Sequence, residues 1–243
     1  MGDIVLENPN AAAVLEKFGL DYCCHGNLKL ADACKIKFMD PSIVAREIRE
    51  VAKAEPSGND PLPNAMQWEL PRLIDYIIET HHSYVRKMIP IISEQITRSV
   101  ESYGTQYPQL YVAQKVFAKI AVDLQAHTKK EEELLFPAIR KLTGMARSGQ
   151  QADALMLARL AHTIADLKYE HEVAGNEMVK IHESLNDLNP PPNVCATMKL
   201  MYQQLTEYER DLRCHVFLEN FVLFPRAQRL EHELTSGAME MAN

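Results

Sequence analysis

The sequence predicts an all-α protein: an up-down four-helix bundle preceded by a small helical domain that contains vicinal cysteines. Three observations predict it. Glycine is scarce, 9 in 243 residues, while Ala, Leu, Glu, Lys and Met are plentiful, a composition of good helix formers. Four long segments repeat apolar residues at steps of three and four, the period of a helix with one buried face. Clusters of Pro, Gly and small polar residues separate them, and no stretch alternates with the period of two of a half-buried strand.

The small domain covers residues 1–54. Asn8-Pro9 and Asp40-Pro41 each read as an N-cap followed by proline at the first helical position, opening helices over 9–18 and 41–53. Between them DYCCHGN (21–27) is turn-like, with adjacent Cys23 and Cys24 followed by His25 and Gly26. EPSGNDPLPN (55–64) is the linker. The bundle domain, 65–232, follows with helices near 69–99, 108–142, 151–187 and 194–230. ESYGTQYP (101–108) parts the first from the second, and NPPPN (189–193) parts the third from the fourth. Residues 233–243 form a tail expected to fray.

The buried stripes contain a chemical anomaly. In the fourth helix the stripe reads Met198, Met201, Leu205, Tyr208, Leu212, His215, Glu219, Val222. In the second it reads Phe117, Ile120, Leu124, His127, Glu131, Leu134, Ala138. The third places His171 between Leu167 and Ala174, and the first runs Ile74, Ile78, then His81 or His82, then Val85 and Ile89. Every helix thus puts a histidine where an apolar side chain belongs. HTKKEEELLFP (127–137) and HVFLENFVLFP (215–225) also share one skeleton, H-x3-E-x4-F-P.

A pair at i and i+4 has Cβ atoms about 5–6 Å apart on one helix face, so both side chains reach one point. Burying an isolated carboxylate is costly, and metal coordination offsets that cost. Imidazole and carboxylate together suit iron, manganese or zinc. Four histidines and two glutamates are too many ligands for one tetrahedral zinc and suit two octahedral ions. Glu131 and Glu219 would bridge the ions, each ion would take two imidazoles, and an oxo or hydroxo group would close the bridge. Positions would remain open for a small diatomic ligand. The competing reading is a structural bundle whose histidines hydrogen-bond within the core. His162 lies off the stripe, His232 in the tail and His182 at the stripe's edge, so none is taken as a ligand. Cys214 should point away from the seam. Neither HExxH, a P-loop nor G-x-G-x-x-G occurs.

The net charge of −7 argues against nonspecific nucleic-acid binding, which needs a basic face. No apolar run approaches the roughly 20 residues of a membrane span, and MGDIVLENPN lacks a basic n-region and apolar h-region. Five cysteines without framework spacing read as free thiols in a reducing compartment. A cytoplasmic protein with neither nucleic-acid nor membrane partners is expected.

H…HxxxE…H…HxxxE on four helices resembles the hemerythrin-like di-iron fold. Asp21-Tyr22-Cys23-Cys24 ahead of it resembles the iron–sulfur cluster repair family, the Repair of Iron Centers or ScdA-type proteins. Tyr169-Glu170-His171-Glu172-x-Ala174-Gly175 and the two H-x3-E-x4-F-P blocks belong to the same likeness. The resemblance implies metal ligands His82, His127, Glu131, His171, His215 and Glu219. It selects His82 over His81 because Pro90 follows by eight residues and Asp75 precedes by seven. It further implies two iron ions per chain, oxo- or hydroxo-bridged, and Glu170 as a supporting carboxylate at a solvent or product channel. Oxygen carriers of this fold end in H-x3-D and add a histidine, whereas this chain has Glu219.

The family's Cys-Cys-Gly-Gly is Cys23-Cys24-His25-Gly26 here, and His25 is expected to lower a cysteine pKa. By resemblance, Cys23 and Cys24 would engage a partner, a nitrosyl group or iron in transit. The implied function is repair of iron–sulfur clusters damaged by nitrosative or oxidative stress, through iron donation or through NO binding or reduction. Partners would be damaged iron–sulfur proteins and the small ligands NO or O2, and the expected assembly, if any, is a homodimer. The alternative is a hemerythrin-like O2- or NO-binding sensor or store.

Overall fold

A computed structural model describes residues 1–53 and 62–240 of the chain. Of the expected linker, residues 55–61 lie outside the described residues, as do residues 241–243 of the expected tail. Among the described residues there is no strand, and no helix is long and apolar enough to cross a membrane.

The small domain holds four short helices: α1 Gly2–Glu7, α2 Ala11–Lys17, α3 Leu30–Ile36 and α4 Pro41–Val51. Asp40 caps α4 as expected, its carboxylate accepting from the Ser42 N–H at 2.8 Å with Pro41 in the first turn. Asn8 instead closes a turn, accepting from the Asn10 N–H at 3.2 Å, and α2 starts two residues later than Pro9. A one-turn helix, α5 Leu62–Ala65, precedes the bundle.

The first bundle helix joins Leu70–Tyr76 and Ser83–Tyr103 through a π-helical turn, Ile77–His82. The second joins Gln109–Lys130 and Phe136–Ser148 through the π-turn Glu131–Leu135. The third, Ala154–Ser184, is unbroken. The fourth joins Ala196–Phe217 and Phe224–Glu240 through the π-turn Leu218–Leu223, continuing through residues assigned to the tail. The first helix packs on the second and fourth, and the second on the third.

In both H-x3-E-x4-F-P blocks the proline, Pro137 or Pro225, sits two residues beyond the π-turn. Proline lacks an N–H and its ring crowds the carbonyl four residues back, so a widened turn just before it relieves the conflict. Each extra residue shifts the buried stripe. Leu134, expected inside, is 61% exposed, and Leu135 takes its place in the core. In the first helix Ile77 rather than Ile78 is fully buried, and both His81 and His82 turn inward.

The small domain docks against the third and fourth helices. Phe221 lies so near Gly2 and Gly26 that a Cβ on either would come within 2.1 and 2.5 Å of its ring. Gly175 gives Cys24 the same close approach, with 2.8 Å from an added Cβ to the Cys24 Cβ. Tyr22, buried, meets Phe217 edge-on at 5.8 Å. The Met1 ammonium donates to the Gly26 and Leu28 carbonyls, tying the chain start to the cysteine turn.

Candidate metal centre

The π-turns fall on the residues singled out by sequence: His82 ends one, Glu131 starts another, and Glu219 is the second residue of the third. With His127, His171 and His215 they form two overlapping groups. One contains His82, His215, Glu131 and Glu219; the other contains His127, His171 and the same two glutamates. Within each group the ligand atoms lie within 4.8 Å of one another. His82 Nε2 is 3.1 Å from His215 Nε2, and His127 Nε2 is 3.0 Å from His171 Nε2.

These distances fit two cations. Two nitrogens held about 2.1 Å from one ion at a right angle lie about 3.0 Å apart. Glu131 and Glu219 are both 0% exposed. Neither oxygen of Glu131, nor Oε2 of Glu219, has a well-formed hydrogen bond among the described residues. The nearest imidazole nitrogens are His171 Nε2, 3.2 Å from Glu219 Oε2, and His82 Nε2, 3.4 Å from Glu131 Oε2. Buried carboxylate oxygens left this poorly matched are costly, and coordination answers that cost.

The electrostatics agree. Burial alone would raise both carboxyls, but the facing imidazoles hold Glu131 below, and Glu219 well below, the ordinary glutamate value. Burial would likewise lower His82, yet Glu131 and Glu219 outweigh it and raise the imidazole to about 10. His127 also reaches about 10, burial being overcome by Glu131 and Glu170. His215, enclosed opposite His82, is lowered by burial. One imidazole of the facing pair therefore keeps a proton that its neighbour cannot also hold. A cation entering here displaces protons, so affinity weakens in acid.

The outward nitrogens are anchored. His82 Nδ1 donates to Glu132 Oε1 at 2.7 Å, His127 Nδ1 to Glu170 Oε2 at 2.8 Å, and His171 Nδ1 to Asn220 Oδ1 at 2.9 Å. Such bonds fix the tautomer that leaves Nε2 free to ligate. His215 Nδ1 has no hydrogen-bond partner among the described residues, and its ring stacks on His81 at 5.6 Å. His81 turns its Nδ1 to Asp211 at 2.9 Å, so it supports the centre from outside. Glu132 and Asn220 were not foreseen. Each follows a glutamate of the centre directly, and only the widened π-turn brings it back to a histidine.

Glu170 also pairs with Lys130, and hydrogen bonds from His127 and Lys130 lower it to about 2. It lines a cavity of about 290 Å³ whose walls are chiefly apolar and include Leu124, His127, His171, His215 and Val216. The cavity leads from the surface at Tyr169 and Glu170 to three of the histidines, a path suited to small uncharged molecules.

In the cysteine turn, Cys23 Sγ and Cys24 Sγ lie 3.7 Å apart. Asp21 Oδ1 accepts from both backbone N–H groups, at 3.0 and 2.9 Å, and from the Cys23 thiol at 3.1 Å. Contrary to expectation, the Cys23 thiol is raised rather than lowered, and His25 is engaged with Asp21. Its Nδ1 is bound to Asp21 Oδ2 at 2.6 Å, and burial, with Cys24 and Asp21 adding to it, pushes the Cys23 thiol well above its ordinary value. Asn220 Nδ2 donates to the Cys23 carbonyl at 3.2 Å, so one side chain joins this turn to His171. His182 bonds Glu209 at 2.9 Å, and His162 and His232 are exposed.

Two domain families match the chain. Residues 1–52 match ScdA_N, described as a domain of unknown function, and residues 73–227 match the hemerythrin HHE cation binding domain. The chain is similar to proteins named iron-sulfur cluster repair protein YtfE. Those of Shigella boydii serotype 4 (strain Sb227) and Escherichia coli O157:H7 are each 32% identical over 231 residues, covering 93% of this chain and 95% of the relative.

Proposed function

The chain belongs to the iron–sulfur cluster repair proteins with a hemerythrin HHE cation binding domain, and on that premise we propose that it restores damaged iron–sulfur clusters using two iron ions held by six side chains. His82 and His215 would hold one ion and His127 and His171 the other, with Glu131 and Glu219 serving both. The observation that supports this reading most is the sharing of both buried glutamates between two histidine pairs. A single-ion site would leave one of those pairs unmatched.

When bound, the iron pair supplies redox chemistry and coordination positions for a diatomic ligand such as NO. The chain's own part is to orient and to exclude water. Glu132, Glu170 and Asn220 hold three imidazoles with Nε2 inward. The apolar cavity admits NO or O2 while keeping bulk water away. Glu170, half-exposed and ionised beside Lys130, stands at the cavity's mouth, where a proton or a departing ion would pass. The cavity also favours the second reading, a reversible O2- or NO-binding store.

The test separates the two. An iron–sulfur enzyme inactivated with NO is incubated anaerobically with the iron-loaded chain, and recovery of its cluster absorbance is followed. Repair predicts recovery with the wild-type chain and none with Glu131→Ala. Equal recovery with both chains contradicts it, and a reversible gas adduct without recovery favours the store.

A further inference from the structure

We propose that Asp21, Cys23 and Cys24 form a separate metal site, open on one side, that takes a single thiophilic divalent ion such as ferrous iron or zinc. One oxygen of Asp21 and the two thiol sulfurs come within 4.8 Å of one another, the only such group among the described residues that contains cysteine. Two thiolates bound about 2.3 Å from a tetrahedral ion lie about 3.75 Å apart, and the sulfurs here are 3.7 Å apart. Asp21 Oδ1 lies 3.1 Å from the Cys23 sulfur, near enough to serve as a third ligand.

The surroundings are those of a prepared ligand set. His25 holds the far oxygen of Asp21 at 2.6 Å, and two backbone N–H groups fix the near one, the kind of support that orients a ligating carboxylate. Gly175 lets the third bundle helix lie against Cys24, which restricts where that sulfur can go. Two thiolates and a carboxylate around a divalent ion leave one net negative charge. Arg213, half-buried beside this turn, has an Nη1 without a hydrogen-bond partner among the described residues.

The fourth position opens into a cavity of about 530 Å³ between the small domain and the bundle, bordered by Lys37, His182 and Arg213. Closed four-ligand sites are structural, whereas an open position permits exchange. All three ligand atoms belong to the small domain, so the site does not depend on a metal held in the bundle.

Cobalt(II) is the probe, because thiolate-to-cobalt charge transfer in the near ultraviolet cannot arise from the bundle's nitrogen and oxygen ligands. The full chain, metal-loaded in its bundle, is titrated anaerobically with thiols reduced. We expect one cobalt per chain with that band, lost in Cys23→Ser and in Cys24→Ser. Asp21→Asn keeps both thiols and should weaken binding about 10-fold or more. Glu131→Ala, aimed at the bundle centre, should keep the band. Absence of the band in the wild-type chain overturns the site, as does its survival in the Cys23→Ser/Cys24→Ser double variant. Unchanged affinity in Asp21→Asn would equally contradict the three-ligand assignment.

Discussion

His82 and His215 stand 133 residues apart in the chain, yet their Nε2 atoms lie 3.1 Å from each other at the bundle's centre. Two buried imidazoles at that distance cannot both be protonated. They must share one proton or turn their lone pairs to one cation. The second pair, His127 and His171, repeats the arrangement at 3.0 Å, and Glu131 and Glu219 lie between the two.

Sharing makes the ligands unequal. In the proposed two-ion centre, Glu131→Ala would remove a ligand from both positions and should bring bound metal close to zero. His215→Ala touches one position only and should leave about one ion per chain, the second pair keeping its two imidazoles and both carboxylates. Elemental analysis of the two variants side by side checks this, and equal losses would contradict the bridging roles.

Asn220 fixes the His171 tautomer and also holds the Cys23 carbonyl. Asn220→Ala should weaken metal binding about 10- to 100-fold, the usual effect of losing an outer hydrogen-bond partner. Competition with a chelator measures it. Glu132→Gln, acting on His82, should fall in the same range.

Gly26 has no room for a side chain, since a Cβ there would lie 2.1 Å from the Tyr22 carbonyl oxygen. Gly26→Ala should destabilise the small domain by about 1–3 kcal/mol, as other overpacked sites do. Limited proteolysis should then cut within residues 1–53 sooner, while the bundle's metal content stays unchanged.

His182 gives a pH signature. The hydrogen bond to Glu209 raises its pKa, more than burial lowers it, with Asp187 adding to the rise and Arg213 opposing it. Glu209 is lowered, burial being outweighed by His182 and Arg213. A raised histidine stabilises fully below its unfolded pKa of about 6.5, and the effect fades as pH rises through the folded value. The lowered glutamate stabilises above about 4.3, and its effect is lost as pH falls through its folded value. The stability difference between wild type and His182→Gln, on the order of 1 kcal/mol or less, should therefore be largest between those limits. It should shrink toward alkaline pH in denaturant titrations.

Much of this fold was legible because burial writes a period into the sequence. The stripe in the unbroken third helix runs Leu157, Leu160, Ile164, Leu167, and all four are buried as expected. Where a π-turn intervenes the period slips by one residue, which exposed Leu134, buried Leu135, and left periodicity unable to choose between His81 and His82. The Phe-Pro pairs were visible, but their link to a widened turn emerges only from the backbone. Helices α1 and α3 were missed because six or seven residues are too few to display a stripe. Five polar core residues, His127, Glu131, His171, His215 and Glu219, were legible because each interrupts an apolar pattern, whereas His82 was preferred to His81 only through the family resemblance. Glu132 and Asn220 were not, since a partly exposed polar residue on a helix looks like any other.

The most direct measurement is the metal content of the anaerobically purified chain, reconstituted with ferrous ion, with Cys23 and Cys24 both replaced by serine so that only the bundle contributes. About two irons per chain are expected, falling close to zero when Glu131→Ala is added. No retained iron, or iron unaffected by Glu131→Ala, would contradict the centre.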